Sequence, residues 1–166
     1  MAAPVYLDTN VFVYLKEGFG DLPASLLQLV AASGASGSAR LATCEITLAE
    51  LLTKPLAEGR DDLVDAYENW MITSDWLHVV PADLQVLRAA AVLRATYKAL
   101  KLPDAIHIAA AISLGCDRFL TADEGLKGGY ALSPSSIGNP RPSAPIRILR
   151  PTIDTISHLA AEFSAT

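Results

Sequence analysis

Cysteine is scarce in this chain: only Cys44 and Cys116 occur in 166 residues. Each adjoins an apolar run and neither belongs to a CxxC pair, which excludes a disulfide framework and a thiolate zinc site as organising devices. Charged residues are also few, at 19% against 51% hydrophobic, and that balance excludes a disordered chain and requires a packed core. The N-terminal apolar stretch has no basic lead and is broken by Asp8, Asn10, Lys16 and Glu17, so it reads neither as a signal peptide nor as a membrane span. A cytoplasmic protein with no membrane attachment is expected. Basic residues are outnumbered, 13 Lys and Arg against 18 Asp and Glu, for a net charge of −5. That excludes a binder working through a basic tail. It leaves room for carboxylates gathered around a divalent cation, because phosphate is drawn to the cation rather than repelled by the acids. There is no GxSxG, GxxxxGK[ST] or GxGxxG motif and no internal repeat.

What is present is an alternation of strand-like and helix-like segments. Val5-Tyr6-Leu7 has the β-branched and aromatic character of a buried strand and ends at Asp8. Leucines and Val30 at helical spacing predict a helix over 21–33, introduced by Asp21 and Pro23. A strand at 40–44 precedes a helix in which Thr47 and Glu50 have the spacing of a capping box and which Pro55 and Gly59 close. Further helices are predicted at 61–72, 82–100 and 103–114, with strands at 77–80, 118–121 and 146–149. The Gly-, Pro- and Ser-rich stretch 128–145 reads as a surface loop, and the chain ends in a short amphipathic segment. Alternating elements imply an α/β fold, a three-layer α/β/α sandwich with a central parallel sheet, whose ligands bind beyond the C-terminal strand ends. The expected organisation is one domain over 1–150, with 151–166 as a tail packing on it or extending from it.

Four acids fall where such a fold exposes functional groups: Asp8 after the first strand, Glu50 after the second, Asp104 at a helix start and Asp123 after a later strand. Carboxylates brought together repel one another unless a cation neutralises them, and Mg²⁺ or Mn²⁺ there is suited to activating water and neutralising a phosphodiester. Each acid also has an ordinary explanation. Asp8 suits a turn, Asp104 a first helical turn, Glu50 the capping box with Thr47, and Asp123 the cap of a short helix over 124–126. Glu45 competes with Glu50 for the site role. Thr9, Asn10 and Thr121 are candidates for touching substrate or holding the carboxylates, and Thr9 and Asn10 serve equally well as turn and cap residues. His107, one turn after Asp104 in an apolar run, has no second histidine at metal-binding spacing and reads as a satisfied core residue.

YLDTNVFVYL at the N-terminus, TLAELLTKPL around residue 50 and LPDAIHIAAAISLGCDRFLTAD from residue 102 resemble, in order and context, the three signature blocks of PIN-domain ribonucleases, especially VapC-type toxins of toxin–antitoxin pairs. The resemblance spans roughly residues 4–124. It implies that Asp8, Glu50, Asp104 and Asp123 take the family's catalytic and metal-binding positions. It also implies Mg²⁺ or Mn²⁺ dependence, endonuclease cleavage of RNA to 5′-phosphate and 3′-hydroxyl ends, a homodimer and an inhibitory antitoxin protein. The 128–145 stretch is longer and richer in proline than in compact family members.

Other readings stay in competition. A phosphoryl transfer through an aspartyl intermediate at Asp8 lacks the second acid of a DxD motif, since Asn10 stands there. A non-catalytic scaffold that binds RNA or protein, or a housekeeping RNA-processing nuclease, is compatible with the same fold.

Overall fold

The computed structural model describes residues 3–35, 37–132 and 144–165. Five parallel strands, β1 (Val5–Leu7), β2 (Leu41–Cys44), β3 (Leu77–Val80), β4 (Arg118–Leu120) and β5 (Arg147–Leu149), form one sheet in the order β3-β2-β1-β4-β5. Both faces are covered, so the inner strands are buried at every position rather than at alternate ones, as a parallel sheet requires.

The pleat divides the core in two. Tyr6, Ala42, Cys44 and Phe119 point to one face, where they meet α5 (Leu84–Thr96) and α6 (Leu102–Ser113) through Val86, Ala90, Leu93 and the buried run Ala105–Ala111. Val5, Leu7, Leu41 and Leu120 point to the other, against α1 (Thr9–Glu17), α2 (Leu22–Ala35), α3 (Ile46–Glu58), α4 (Asp61–Trp70) and α7 (Ile153–Ser164). The result is the three-layer α/β/α sandwich expected of the sequence. Helix α7 lies on this second face, its Ile156, Leu159 and Phe163 buried in the same cluster as Leu26 and Leu29 of α2. Phe163 also covers the buried Arg40 guanidinium, 4.8 Å from the ring centroid.

Several local expectations need correction. Helix α1 was not anticipated: Val11 and Val13 are weak helix formers, but Asp8 caps the helix through its side chain, and burial of Val11 and Phe12 outweighs propensity. The Thr47–Glu50 capping box does not form. Helix α3 begins two residues earlier, with Glu45 rather than Thr47 at its N-cap; Thr47 is buried in its first turn with its hydroxyl 2.8 Å from that of Thr43, and Glu50 is engaged elsewhere. Pro55 does not close α3 but lies within it; the closure comes at Gly59, whose φ of 65° is the left-handed conformation glycine tolerates best. The segment 82–100 is helical only over Leu84–Thr96. Residues 124–126 form a turn rather than a helix, with Asp123 Oδ1 accepting from Gly125 N at 2.7 Å. Of the 128–145 loop, residues 133–143 lie outside the described residues.

The strand order sets the position of the site. From β1 the chain proceeds outward through β2 to β3, then returns to place β4 on the other side of β1. The connections after β1 and β4 therefore diverge, leaving a crevice at their C-terminal ends, where parallel α/β sheets bind ligands.

Candidate active site

Asp8 and the segment Thr121–Asp123 stand on the two lips of that crevice, tied by a backbone bond from Asp8 N to Leu120 O at 3.0 Å. The Asp8 side chain is nearly enclosed, and every donor it meets is fixed by the fold. Oδ1 accepts from Thr9 N at 2.8 Å; Oδ2 accepts from Asn10 Nδ2 at 2.8 Å and from the Thr121 hydroxyl at 2.5 Å. Asn10 is locked in turn, its Oδ1 accepting from Ala122 N at 2.9 Å and its Nδ2 reaching Thr121 Oγ1 at 3.1 Å. Thr121, fully buried, also accepts from Asp123 N at 2.9 Å, so one hydroxyl aligns Asp8 and the backbone that carries Asp123.

Asp104 enters from above, in the first turn of α6 behind Pro103. Burial, and then the negative charges of Asp123 and Asp8, raise its pKa above the ordinary carboxylate value, against smaller opposing pulls from His107 and Lys101. Three acids distant in sequence therefore share one electrostatic neighbourhood. The Asp104 carboxylate accepts no hydrogen bond from any described residue, in contrast to Asp8.

Glu50 reaches the same neighbourhood from α3. Its Oε2 accepts from the Thr9 hydroxyl, a short contact, and lies 2.8 Å from His107 Nε2, which is itself 3.9 Å from Asp8 Oδ1. Burial alone raises the Glu50 pKa, but the hydrogen bonds from His107 and Thr9 outweigh it and leave the carboxyl below its ordinary range. Glu45 takes a different part: its Oε2 accepts from Ala82 N at 3.1 Å and steadies the turn after β3.

Two contributors went unassigned in the sequence. His107 is buried and satisfied, as expected, yet one of its partners is Glu50, which periodicity along α6 gives no means of seeing. Arg150, just past β5, spans the carbonyls of Thr121 at 3.0 Å, Asp123 at 2.6 Å and Leu126 at 2.7 Å, and so clamps the loop bearing Asp123. No local pattern signals it, because its partners lie 24 to 29 residues away.

The PIN-domain profile matches residues 5–129, a span that contains all four acids. The chain belongs to the PIN-domain family. Among solved structures, a toxin–antitoxin complex from Klebsiella pneumoniae resembles it with a TM-score of 0.50 and 19% identity, over 74% of this chain and 95% of the other; at that identity the likeness is one of fold. No curated protein sequence matches the chain.

The donor chemistry of this PIN-domain site fits a divalent cation. The available ligands are hard carboxylate oxygens, and Asp104, raised first by burial and then by the charges of Asp123 and Asp8, is a carboxylate whose repulsion a cation would relieve. Among the described residues no three His, Cys, Asp or Glu side chains are arranged to enclose one ion. Mg²⁺ characteristically binds through one or two carboxylates and keeps several waters, so such a cage is not a requirement.

Proposed function

We propose that this PIN-domain protein is a metal-dependent endoribonuclease and the toxin of a toxin–antitoxin pair. The proposal is carried by the placement of Asp8 and the Asp123 segment on the two lips of the β1/β4 crevice, beside Asp104, whose pKa is raised first by burial and then by the charges of Asp123 and Asp8. Membership of a family that is generally nucleolytic supports it. Asp8 and Asp104 are the proposed principal ligands of Mg²⁺ or Mn²⁺, with Glu50 and Asp123 completing the acidic cluster. When bound, such an ion supplies a Lewis acid that neutralises phosphate charge and makes water a better nucleophile for in-line displacement.

The chain's own contribution is placement. Thr9, Asn10 and Thr121 hold Asp8 and Glu50 at fixed orientations, so little reorganisation is needed when a phosphodiester arrives. Arg150 holds the backbone at Asp123. In this reading Thr9, Asn10 and Thr121 act on the carboxylates rather than on RNA.

The partners follow from the same reading. The fold neighbour was solved as a toxin–antitoxin complex, which supports a protein inhibitor for this chain as well. An Arg-bearing segment of such an inhibitor is proposed to pair with the acids in place of the cation. The protein is proposed to act in the cytoplasm as a homodimer. No helix among the described residues is long and apolar enough to cross a membrane, and both cysteines are free and buried. The catalytic unit is proposed to be residues 1–150, with the tail 151–166 bracing α2.

Incubation of purified protein with total RNA in Mg²⁺ or Mn²⁺, beside the same reaction in EDTA, tests the proposal. Fragments with 5′-phosphate and 3′-hydroxyl ends are expected only with metal. Cleavage unchanged by EDTA would overturn the mechanism, and RNA bound but uncut with either ion would favour the scaffold.

A further inference from the structure

Beneath the acids, three side chains from three elements form a line. The Tyr6 hydroxyl of β1 lies 2.8 Å from His107 Nδ1 in α6, and His107 Nε2 lies 2.8 Å from Glu50 Oε2 in α3. Tyr6 is fully buried and His107 is 2% exposed, so neither exchanges its partner for bulk water. The Tyr6 ring is fixed between neighbours, stacked on Phe119 at 4.9 Å and edge-on to His107 at 5.8 Å. A phenol carries its hydrogen at neutral pH, so the Tyr6 hydroxyl has one to give. An imidazole nitrogen that accepts a hydrogen bond leaves the ring hydrogen on the other nitrogen, and here that other nitrogen faces Glu50.

We propose that His107 is a positioning residue for Glu50: Tyr6 sets the ring hydrogen on Nε2, and that N–H, with the Thr9 hydroxyl, fixes Oε2 so that Oε1 is left free for the site. The arrangement explains why a polar ring stands in the otherwise apolar run Ala105–Ala111. It also accounts for the different states of the acids. Glu50 is held by donors from both sides, whereas Asp104, a turn away from His107 on the same helix, accepts no hydrogen bond from any described residue. Hydrogen bonds of this kind to a ligand carboxylate orient it, and their loss typically costs about 10–100-fold in metal affinity or activity.

The inference rests on Glu50 belonging to the nuclease site, so its test has one arm that needs no cleavage. Long-range ¹H–¹⁵N NMR of the metal-free protein reads which ring nitrogen of His107 carries hydrogen. Nε2 is expected in the wild type, and in Tyr6→Phe the preference is expected to weaken. Hydrogen found on Nδ1 in the wild type would overturn the proposal. The second arm measures RNA cleavage in Mg²⁺ for His107→Leu and His107→Gln, each in the wild-type and Glu50→Gln backgrounds. The glutamine amide nitrogen reaches the place of Nε2, so His107→Gln should retain most activity, while His107→Leu should lose about 10–100-fold. In the Glu50→Gln background His107→Leu should cost nothing further; an undiminished loss there would show a role outside Glu50 and overturn the inference. If His107→Leu fails to fold, the His107→Gln rescue and the NMR arm still decide. A wild type that cuts no RNA would remove the nuclease reading while the NMR arm still tests the tyrosine–histidine–glutamate line.

Discussion

Asp104→Asn should leave a protein that melts higher than the wild type without metal and yet cuts RNA at least about a hundredfold more slowly, corresponding to a loss of about 2.7 kcal/mol or more of charge stabilisation in the transition state. The two effects have one cause. In the metal-free fold the Asp104 charge suffers burial and faces Asp123 and Asp8, and no described residue donates to it. Asparagine removes the burial and repulsion of that charge and gives up the smaller pulls of His107 and Lys101 and the attraction of a carboxylate to the α6 N-terminus, the last typically about 0.3–1 kcal/mol. The sign with pH follows from linkage. Because the folded-state pKa is raised above the ordinary 3.8, the destabilisation is absent below that value and sets in as pH rises toward the raised one. It is complete above the raised value, so the melting advantage of Asp104→Asn should be present at neutral pH and vanish in acid. Thermal melts against pH, with and without Mg²⁺, provide the check. Added metal should raise the wild type's melting temperature and hardly move the variant's. A variant that melts lower than the wild type at neutral pH would mean that Asp104 is stabilised by the fold, contrary to the description given above.

Thr121→Val should be the most damaging conservative change in the site. Valine matches the threonine in shape but offers nothing to Asp8 Oδ2, to Asp123 N or to Asn10 Nδ2, all of which converge on Thr121 Oγ1. The lost hydrogen bond to the Asp8 carboxylate is a buried, charge-assisted one, a class worth about 1.5–3 kcal/mol. A loss of that size lowers the melting temperature by roughly 2–4 °C per kcal/mol in a chain of this length. Cleavage should fall by about 10–100-fold, because Asp8 and the backbone at Asp123 lose their common alignment. Thr121→Ser keeps the hydroxyl and should restore most of both. Wild-type melting and cleavage in Thr121→Val would show that Asn10 and Thr9 suffice to hold Asp8.

Much of this was legible in the chain, and the part that was not has a physical reason. Runs such as Val5–Leu7 and Arg118–Leu120 announce buried parallel strands because both faces of the sheet are covered, and the acids following them announce the crevice. Helix α1 was missed because Val11, Phe12 and Val13 look like strand residues until tertiary burial is known. The spacing of Thr47 and Glu50 fits a capping box, but the Thr43 hydroxyl across the first turn claims Thr47, and Thr9 and His107 claim Glu50. Thr9 and His107 lie 41 and 57 residues from Glu50, beyond the reach of any local pattern, whereas Thr43 is only four residues before Thr47 and competes because β2 leads directly into α3. Arg150 was unreadable for the same reason: its three carbonyl partners belong to a loop whose course only the folded chain reveals.

Direct binding of Mn²⁺ tests the central claim most closely, because it asks whether the converging acids form a cation site at all, independently of any RNA. Titration of the wild type and of Asp8→Asn and Asp104→Asn, followed by the electron paramagnetic resonance of free Mn²⁺, should show saturable binding to the wild type and a loss of about tenfold or more in affinity for each variant. Equal Mn²⁺ binding by all three proteins, or none by a folded wild type, would contradict the account.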